Sequence, residues 1–289
     1  MKTIIASDST VDLPASYIIE HNLPLIDLSY TLKGQERLDR NNTAKTYRDF
    51  YNALREGEMS VTSQVNSQRM NEFFRSLLTG NDMPLIYVAF SSALSGTYNS
   101  ACIAQRDLEN EFPGRIHVVD SRCASLGEGL LVHYALKMRD EDRTAEEIIA
   151  WLENNKLKLN HWFTVDDLHF LRRGGRISGV AALMGSILSI KPVMHVNDLG
   201  QLVPVEKKKG RRNAIKALVD HMAQLGVNLK EQIVFISHGD CEEDANYLAD
   251  IIRNRFGVKE FIINFVGPVI GSHSGPGTLA LFFMGTSRG

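Results

Sequence analysis

Apolar positions along this chain switch between two periods, and the switches mark out its elements. In the first half, short β-branched runs alternate with stretches of helical spacing, the pattern of parallel strands covered by crossover helices. Ile4-Ile5-Ala6 reads as a first strand, and a helix follows from about Pro14, where proline suits a first helical turn. Pro24 to Leu32 reads as extended, and Lys45 to Arg55 as a helix gathering Tyr47, Phe50, Tyr51 and Leu54 on one face. The spacing then predicts a helix over 67–79, a buried strand over 84–90, a helix over 96–111, a strand over 116–120 and a helix over 125–139.

Thr144-Ala-Glu-Glu147 has the form of a capping box opening a helix to about Asn154, and the lysine- and asparagine-rich Asn154 to Asn160 reads as a domain linker. The second half is organised differently. A strand near 161–165 precedes an uncharged helical run, Ile177 to Ile190, and then two extended segments meet at the turn Asn197-Asp-Leu-Gly200. Helices near 211–225 and 241–255 flank a strand at 232–237, and strands near 259–266 and 278–284 finish the chain, suggesting a mixed sheet with helices on one side. The expected fold class is therefore α/β in two domains. The first, 1–157, is a three-layer α/β/α unit with a parallel sheet; the second, 158–289, is an α/β unit with a mixed sheet. Two domains also suit a chain of 289 residues, well beyond the ~100–150 typical of one.

Charge and cysteine usage narrow the classes. With 32 Lys+Arg against 34 Asp+Glu the net charge is -2, which argues against a nucleic-acid surface dominating the molecule. Cys102, Cys123 and Cys241 are odd in number and never form CxxC, so neither a disulfide framework nor a cysteine zinc site is expected; a reducing, cytoplasmic setting fits. The N-terminus reaches Asp8 before a signal-peptide apolar region forms. Phe261 to Ser287 is long and uncharged, but Gly267, Pro268, Gly271, Gly275, Pro276 and Gly277 break it, so strand, glycine-rich loop and strand is the expectation rather than a spanning helix.

Three polar segments stand at the ends of predicted strands, where open parallel sheets place ligand crevices: Ser7-Asp-Ser-Thr10, Thr62-Ser-Gln64 and Ser91-Ser-Ala-Leu-Ser95-Gly-Thr97. Ser95 falls near a helix N-terminus, whose free N–H groups and positive dipole end suit an anion. Each segment also has a plain structural reading as a cap or turn, strongest for Ser7 to Thr10, where Asp8 can orient neighbouring loops. Gly267 to Thr278 is the most unusual segment: its glycines permit close backbone approach, and His273 can donate to an anion or simply be a satisfied structural histidine.

Enzyme signatures are mostly missing. Gly271 to Gly275 has the glycine spacing of a nucleophile elbow but carries His273 at its centre, and there is no Gly-Lys pair for a phosphate loop and no HExxH. His238-Gly-Asp240-Cys-Glu-Glu-Asp244 offers metal-ligand types, yet Asp240 as an N-cap followed by first-turn acids explains it, and no metal is expected. The basic clusters Arg172-Arg173-Gly-Gly-Arg176 and Lys207 to Arg212 lack interleaved aromatics, which disfavours nucleic acid; an acidic partner or a ligand head group suits them better.

Taken in order, Ser7-Asp-Ser-Thr10, Thr62-Ser-Gln64, Ser91 to Tyr98, Leu171-Arg-Arg-Gly-Gly-Arg-Ile177, Lys191-Pro192 and Gly267-Pro…His273-Ser-Gly-Pro-Gly-Thr278 make the chain resemble the DegV family over essentially its whole length. Bacterial members of that family include the fatty-acid-binding subunits of fatty acid kinase. The resemblance implies a long-chain fatty acid such as palmitate, stearate or oleate as ligand, with no other cofactor. It places the carboxylate at Thr62, Ser95 and His273, with Lys209 where some relatives carry a basic residue. Val65 stands where proline is common in the family. The implied protein is a carrier, not catalytic alone, that presents its lipid to a separate ATP-binding kinase subunit. From their own chemistry Arg172, Arg173 and Arg176, which can pair bidentately with carboxylates and phosphates, are candidate docking residues, the structural alternative being that one of them pairs internally and holds the loop; transient membrane contact for lipid exchange is compatible with this. The competing expectation is a stand-alone enzyme acting on a small carboxylated or phosphorylated substrate, with His273 as acid/base and Ser95 or Thr62 as nucleophile or donor.

Overall fold

The computed structural model describes residues 3–40, 43–177 and 190–289. Its order begins β1 (Ile4–Asp8), α1 (Ala15–Glu20), β2 (Leu25–Ile26), β3 (Ser29–Leu32), β4 (Gln35–Leu38), α2 (Ala44–Arg55) and β5 (Ser60–Ser63). It continues with α3 (Ser67–Leu78), β6 (Leu85–Ala89), α4 (Thr97–Leu108), β7 (Ile116–Asp120), α5 (Leu126–Asp140) and α6 (Ala145–Asn155). The second half runs β8 (Leu159–Thr164), α7 (Leu168–Arg173), β9 (Ile190–Val196), β10 (Leu202–Lys209), α8 (Arg211–Leu225), β11 (Ile233–His238), α9 (Glu242–Phe256), β12 (Glu260–Phe265), α10 (Pro268–Ser274) and β13 (Leu279–Met284).

Strands of the first half form the expected parallel sheet, in the order β2-β1-β6-β7. Both its faces are covered, which is why its strands read as continuous apolar runs rather than alternating ones. Ile5, Ile86, Val88 and Val119 pack against Leu130, Leu131 and Ile148 of α5 and α6. Ala6, Leu85, Tyr87 and Ala89 pack against Met70, Phe74, Ala101 and Ala104 of α3 and α4 on the other side. Helix starts follow local chemistry: Asn66 caps α3, and Thr144 with Glu147 forms the predicted capping box of α6.

The second sheet is mixed, six strands in the order β10-β9-β8-β13-β11-β12, with β11 and β12 parallel and the other pairs antiparallel. One face carries α8 and α9, with Leu218, Met222, Leu248 and Ile252 on Trp162, Val234, Ile236 and Leu281. The opposite face, bearing Phe163, Phe235 and Phe282, packs toward α5 of the first half, so helices from both halves cover the sheet.

Four readings are corrected. A third, antiparallel sheet, β4-β3-β5, was not foreseen, because β4 is exposed throughout and shows no alternating pattern. Residues 154–160 are no open linker: α6 runs to Asn155, a single 3₁₀ turn follows, and Lys156 is buried beside Glu153 at 2.7 Å. Asp240 is not the cap of α9; Cys241 holds that position, while Asp240 takes φ 56° and pairs with Arg55 at 2.5 Å. Finally, the glycine-rich segment after β12 contains the helix α10, with Pro268 in its first turn. The predicted helical run Ile177 to Ile190 lies outside the described residues except at its ends, where Ile177 bridges Leu202 and Ile190 opens β9. Among the described residues no helix is long and apolar enough to cross a membrane.

Candidate functional site

A cavity of about 420 Å³ opens between the six-stranded sheet, β5, α10 and the loops that follow β6 and β7, within the ~300–1,000 Å³ of small-molecule sites. Much of its wall is apolar, including Leu28, Phe90, Phe163, Val196, Leu202 and Phe282. Thr62, Ser95, Arg176 and His273 also line it, so residues separated by up to 211 positions in the chain converge there.

Each arrives on a different element. Thr62 lies on β5, opposite Tyr30 of β3, and its Oγ1 is 2.8 Å from His273 Nε2. Ser95 sits in the turn before α4, where its Oγ accepts from Thr97 N at 3.2 Å and lies 3.0 Å from Thr97 Oγ1. The turn thus has the structural role expected of it as well as its place at the cavity. Val65 N donates to Thr97 Oγ1 at 3.4 Å, which ties the Thr62-Ser-Gln64 segment to the start of α4.

His273 rides on α10, and buried carboxylates hold that helix in place. Gly267 N donates to Asp12 at 2.9 Å and Val269 N to Asp39 at 3.2 Å, two acids set at the positive end of the helix. Tyr51 donates to Val266 O at 2.7 Å, and Ser272 reaches Ser60 of β5 at 2.7 Å. Gly174, just after α7, packs so closely on the imidazole that an added Cβ would stand 2.2 Å from His273 Nδ1. That Nδ1 is buried without a hydrogen-bond partner. Burial, and then the charges of Arg176 and Arg173, push the His273 pKa down to about 4, so the ring is neutral at pH 7.

Arg176 enters the wall by donating to Leu94 O at 3.3 Å and Gly174 O at 2.6 Å. Arg173 instead lies over the Phe170 ring at 4.9 Å, and with Arg172 and His169 it borders a separate surface hollow. The three arginines therefore divide, one into the cavity wall and two beside it. Lys209 is not among the described residues that line the cavity; it is exposed at the end of β10, paired with Ile190, seven positions along the strand from Leu202, which does line it.

Ser7 to Thr10 does structural work. Asp8 is fully buried, accepting from Thr10 N at 3.0 Å, Tyr87 OH at 3.1 Å and Phe90 N at 3.3 Å, while Thr10 also donates to Glu128 at 2.9 Å. Burial raises the pKa of both carboxyls. The His238–Asp244 acids are likewise engaged, with Asp240 on Arg55, Glu242 on Arg48 and Asp244 on Arg211.

Sequence reasoning missed His161, Ser125, Ser237, Ser274 and Thr278, which also line the cavity. His161 is fully buried, its Nε2 accepts from Ala124 N at 3.4 Å, and burial holds its pKa well below the usual histidine value. Ser125 had a readable signal, since residues 121–125 stand between a strand and a helix like the segments that were singled out.

Comparison with known proteins fits this architecture. The family model described as uncharacterised protein, DegV family, matches residues 2–286. A DegV domain-containing protein of Clostridium perfringens is 46% identical over 288 residues, covering 99% of each chain. A solved structure reporting fatty acid binding of a DegV family protein from Thermus thermophilus superposes with a TM-score of 0.89 at 29% identity, over 99% of this chain and 100% of that one. A DegV family structure from Ruminococcus gnavus with vaccenic acid gives 0.88 at 25% identity, over 98% and 99%.

Proposed function

This chain belongs to the DegV family, and on that footing we propose that it binds a long-chain fatty acid, its carboxylate at Thr62, Ser95 and His273 and its acyl chain in the cavity. The observation that carries the reading is the convergence of those three side chains, with Arg176, on one largely apolar cavity. Fatty acids reported for the Thermus and Ruminococcus relatives support it.

The chemistry is that of a neutral cradle with one cation beside it. With its ring proton on Nε2, His273 donates to Thr62 Oγ1 and leaves the Thr62 hydroxyl proton free to turn to a carboxylate oxygen. The Ser95 hydroxyl and the start of α4 add donors of the kind that suits an anion. Arg176 supplies the positive charge that the sequence reading assigned to Lys209.

In this proposal the protein is a carrier for a separate ATP-dependent kinase subunit, consistent with a sequence that carries no Gly-Lys phosphate loop. Arg172 and Arg173, at the hollow beside the cavity, are the docking residues, and Arg176 is shared between docking and ligand. The stand-alone enzyme has less support. An acid orienting His273 would hold Nδ1, but that atom faces Gly174, and Asp8 is committed to Thr10, Tyr87 and Phe90.

Mass spectrometry of denatured, freshly purified protein should release long-chain fatty acid in near-stoichiometric amount. Protein with no lipid and no affinity for added palmitate or oleate would end the proposal. Docking is tested with an Arg172→Ala/Arg173→Ala variant, which should lose ATP-dependent acyl-phosphate formation with a kinase subunit far more than it loses lipid.

A further inference from the structure

Besides Thr62, Ser95 and His273, a second set of polar side chains lines the same cavity. Ser237 is fully buried on β11, where the strand register sets it beside Ala280 of β13, and Ala280 beside Phe163 of β8. All three line the cavity, and the small Ala280 leaves room next to the Ser237 hydroxyl. The neighbouring row across the same strands is Phe235, Phe282 and His161, so Ser237 stands beside two phenylalanines and one imidazole.

From the facing element, Ser125 at the start of α5 comes within 2.9 Å of Ser237 and hydrogen-bonds the buried Asp12. Ser125 adopts φ 55° and ψ -142°, a backbone conformation that a residue with a side chain rarely takes and that clusters at ligand sites. Ser274, also in the wall and buried, has a hydroxyl without a hydrogen-bond partner. A saturated alkyl chain offers nothing to such groups, and a buried hydroxyl left facing methylenes costs free energy.

We propose that the preferred ligand carries a hydroxyl along its acyl chain and that Ser237 binds it. This rests on the fatty-acid reading and adds the substrate class. Proton counting favours a hydroxyl over a carbonyl. If Asp12 is ionised, Ser125 donates to it, Ser237 donates to Ser125, and Ser237 keeps an acceptor for the ligand. If Asp12 is protonated, it donates to Ser125, Ser125 donates to Ser237, and the Ser237 proton is free for the ligand. A hydroxyl both donates and accepts, so it matches either state; a carbonyl matches only the second.

The test is calorimetry on the full chain freed of lipid, comparing stearate with hydroxystearates that carry the group at successive mid-chain carbons. One position, or two neighbouring ones, should bind about fivefold to tenfold more tightly than stearate. In Ser237→Ala that ratio should fall to unity or below. Stearate binding with no isomer preferred in the wild-type chain overturns the proposal, as does a preference that survives Ser237→Ala. Failure of stearate and every isomer to bind overturns the fatty-acid reading itself.

Discussion

A single imidazole concentrates the physics of the candidate site. His273 has Thr62 on one nitrogen and the bare Cα of Gly174 against the other, and its pKa is lowered to about 4, below the ordinary histidine value of 6.5. Removing a hydrogen bond to a charged group costs about 1.5–3 kcal/mol, so Thr62→Ala or His273→Ala should weaken fatty-acid affinity roughly tenfold or more with the fold intact. Titration of the displacement of a fluorescent fatty acid reads this directly. The depressed pKa also sets a sign for stability. The unfolded chain takes up a proton on His273 near pH 6.5 and the folded chain only near pH 4, so this contribution is complete above 6.5 and is lost as the pH falls toward 4. His273→Gln removes it. The stability gap between variant and wild type should therefore shift in the variant's favour across that window, as followed by urea denaturation at several pH values.

Among the elements, α10 and the turn after α7 decide where the imidazole stands. Two adjacent glycines in that turn separate steric from backbone effects. Gly174 has φ -71°, open to any residue, but a Cβ there would lie 2.2 Å from His273 Nδ1. Gly175 has φ 66° and no atom within 4 Å of an added Cβ. Gly174→Ala should thus displace the ring and lower ligand affinity out of proportion to any loss of stability. Gly175→Ala should act through backbone strain, costing about 1 kcal/mol of stability with the smaller effect on binding. Paired measurements of denaturation midpoint and ligand affinity distinguish the two. The helix itself was hidden by composition: glycines and serines predict a loop, and α10 forms because Asp12, Asp39 and Tyr51, from distant segments, satisfy its first turn and the carbonyl before it.

For the whole molecule, one residue that ties the halves together is Arg288, one position from the end of the chain. Buried at 6% exposure, its guanidinium donates to the carbonyls of Leu159, Lys156, Arg122 and Asn197, which belong to β8, the turn before it, the loop after β7 and the β9–β10 turn. Arg288→Ala leaves those carbonyls without that donor and should destabilise the fold by about 3 kcal/mol or more. Arg288→Lys should recover little, because an ammonium cannot reproduce the planar fork. A fall in urea midpoint of similar size for both variants would confirm the geometric requirement; full rescue by lysine would refute it.

What the sequence alone determined was the local order of things. Periodicity separates strands from helices because the side-chain repeat of each is intrinsic, and the covered parallel strand 84–90, the capping box at Thr144 and the turn at Asn197 were all legible on that basis. Hydroxyls at strand ends marked Thr62 and Ser95, since strand termini and helix starts expose backbone donors wherever they occur. The tertiary structure decided which of these meet. Ser125 and Ser237 touch across 112 residues, Thr62 and His273 across 211, and Lys209, placed at the site by resemblance, stands at the far end of β10 from cavity-lining Leu202. No short-range pattern carries such pairings, because they follow from strand register and from helices of one half packing on the sheet of the other.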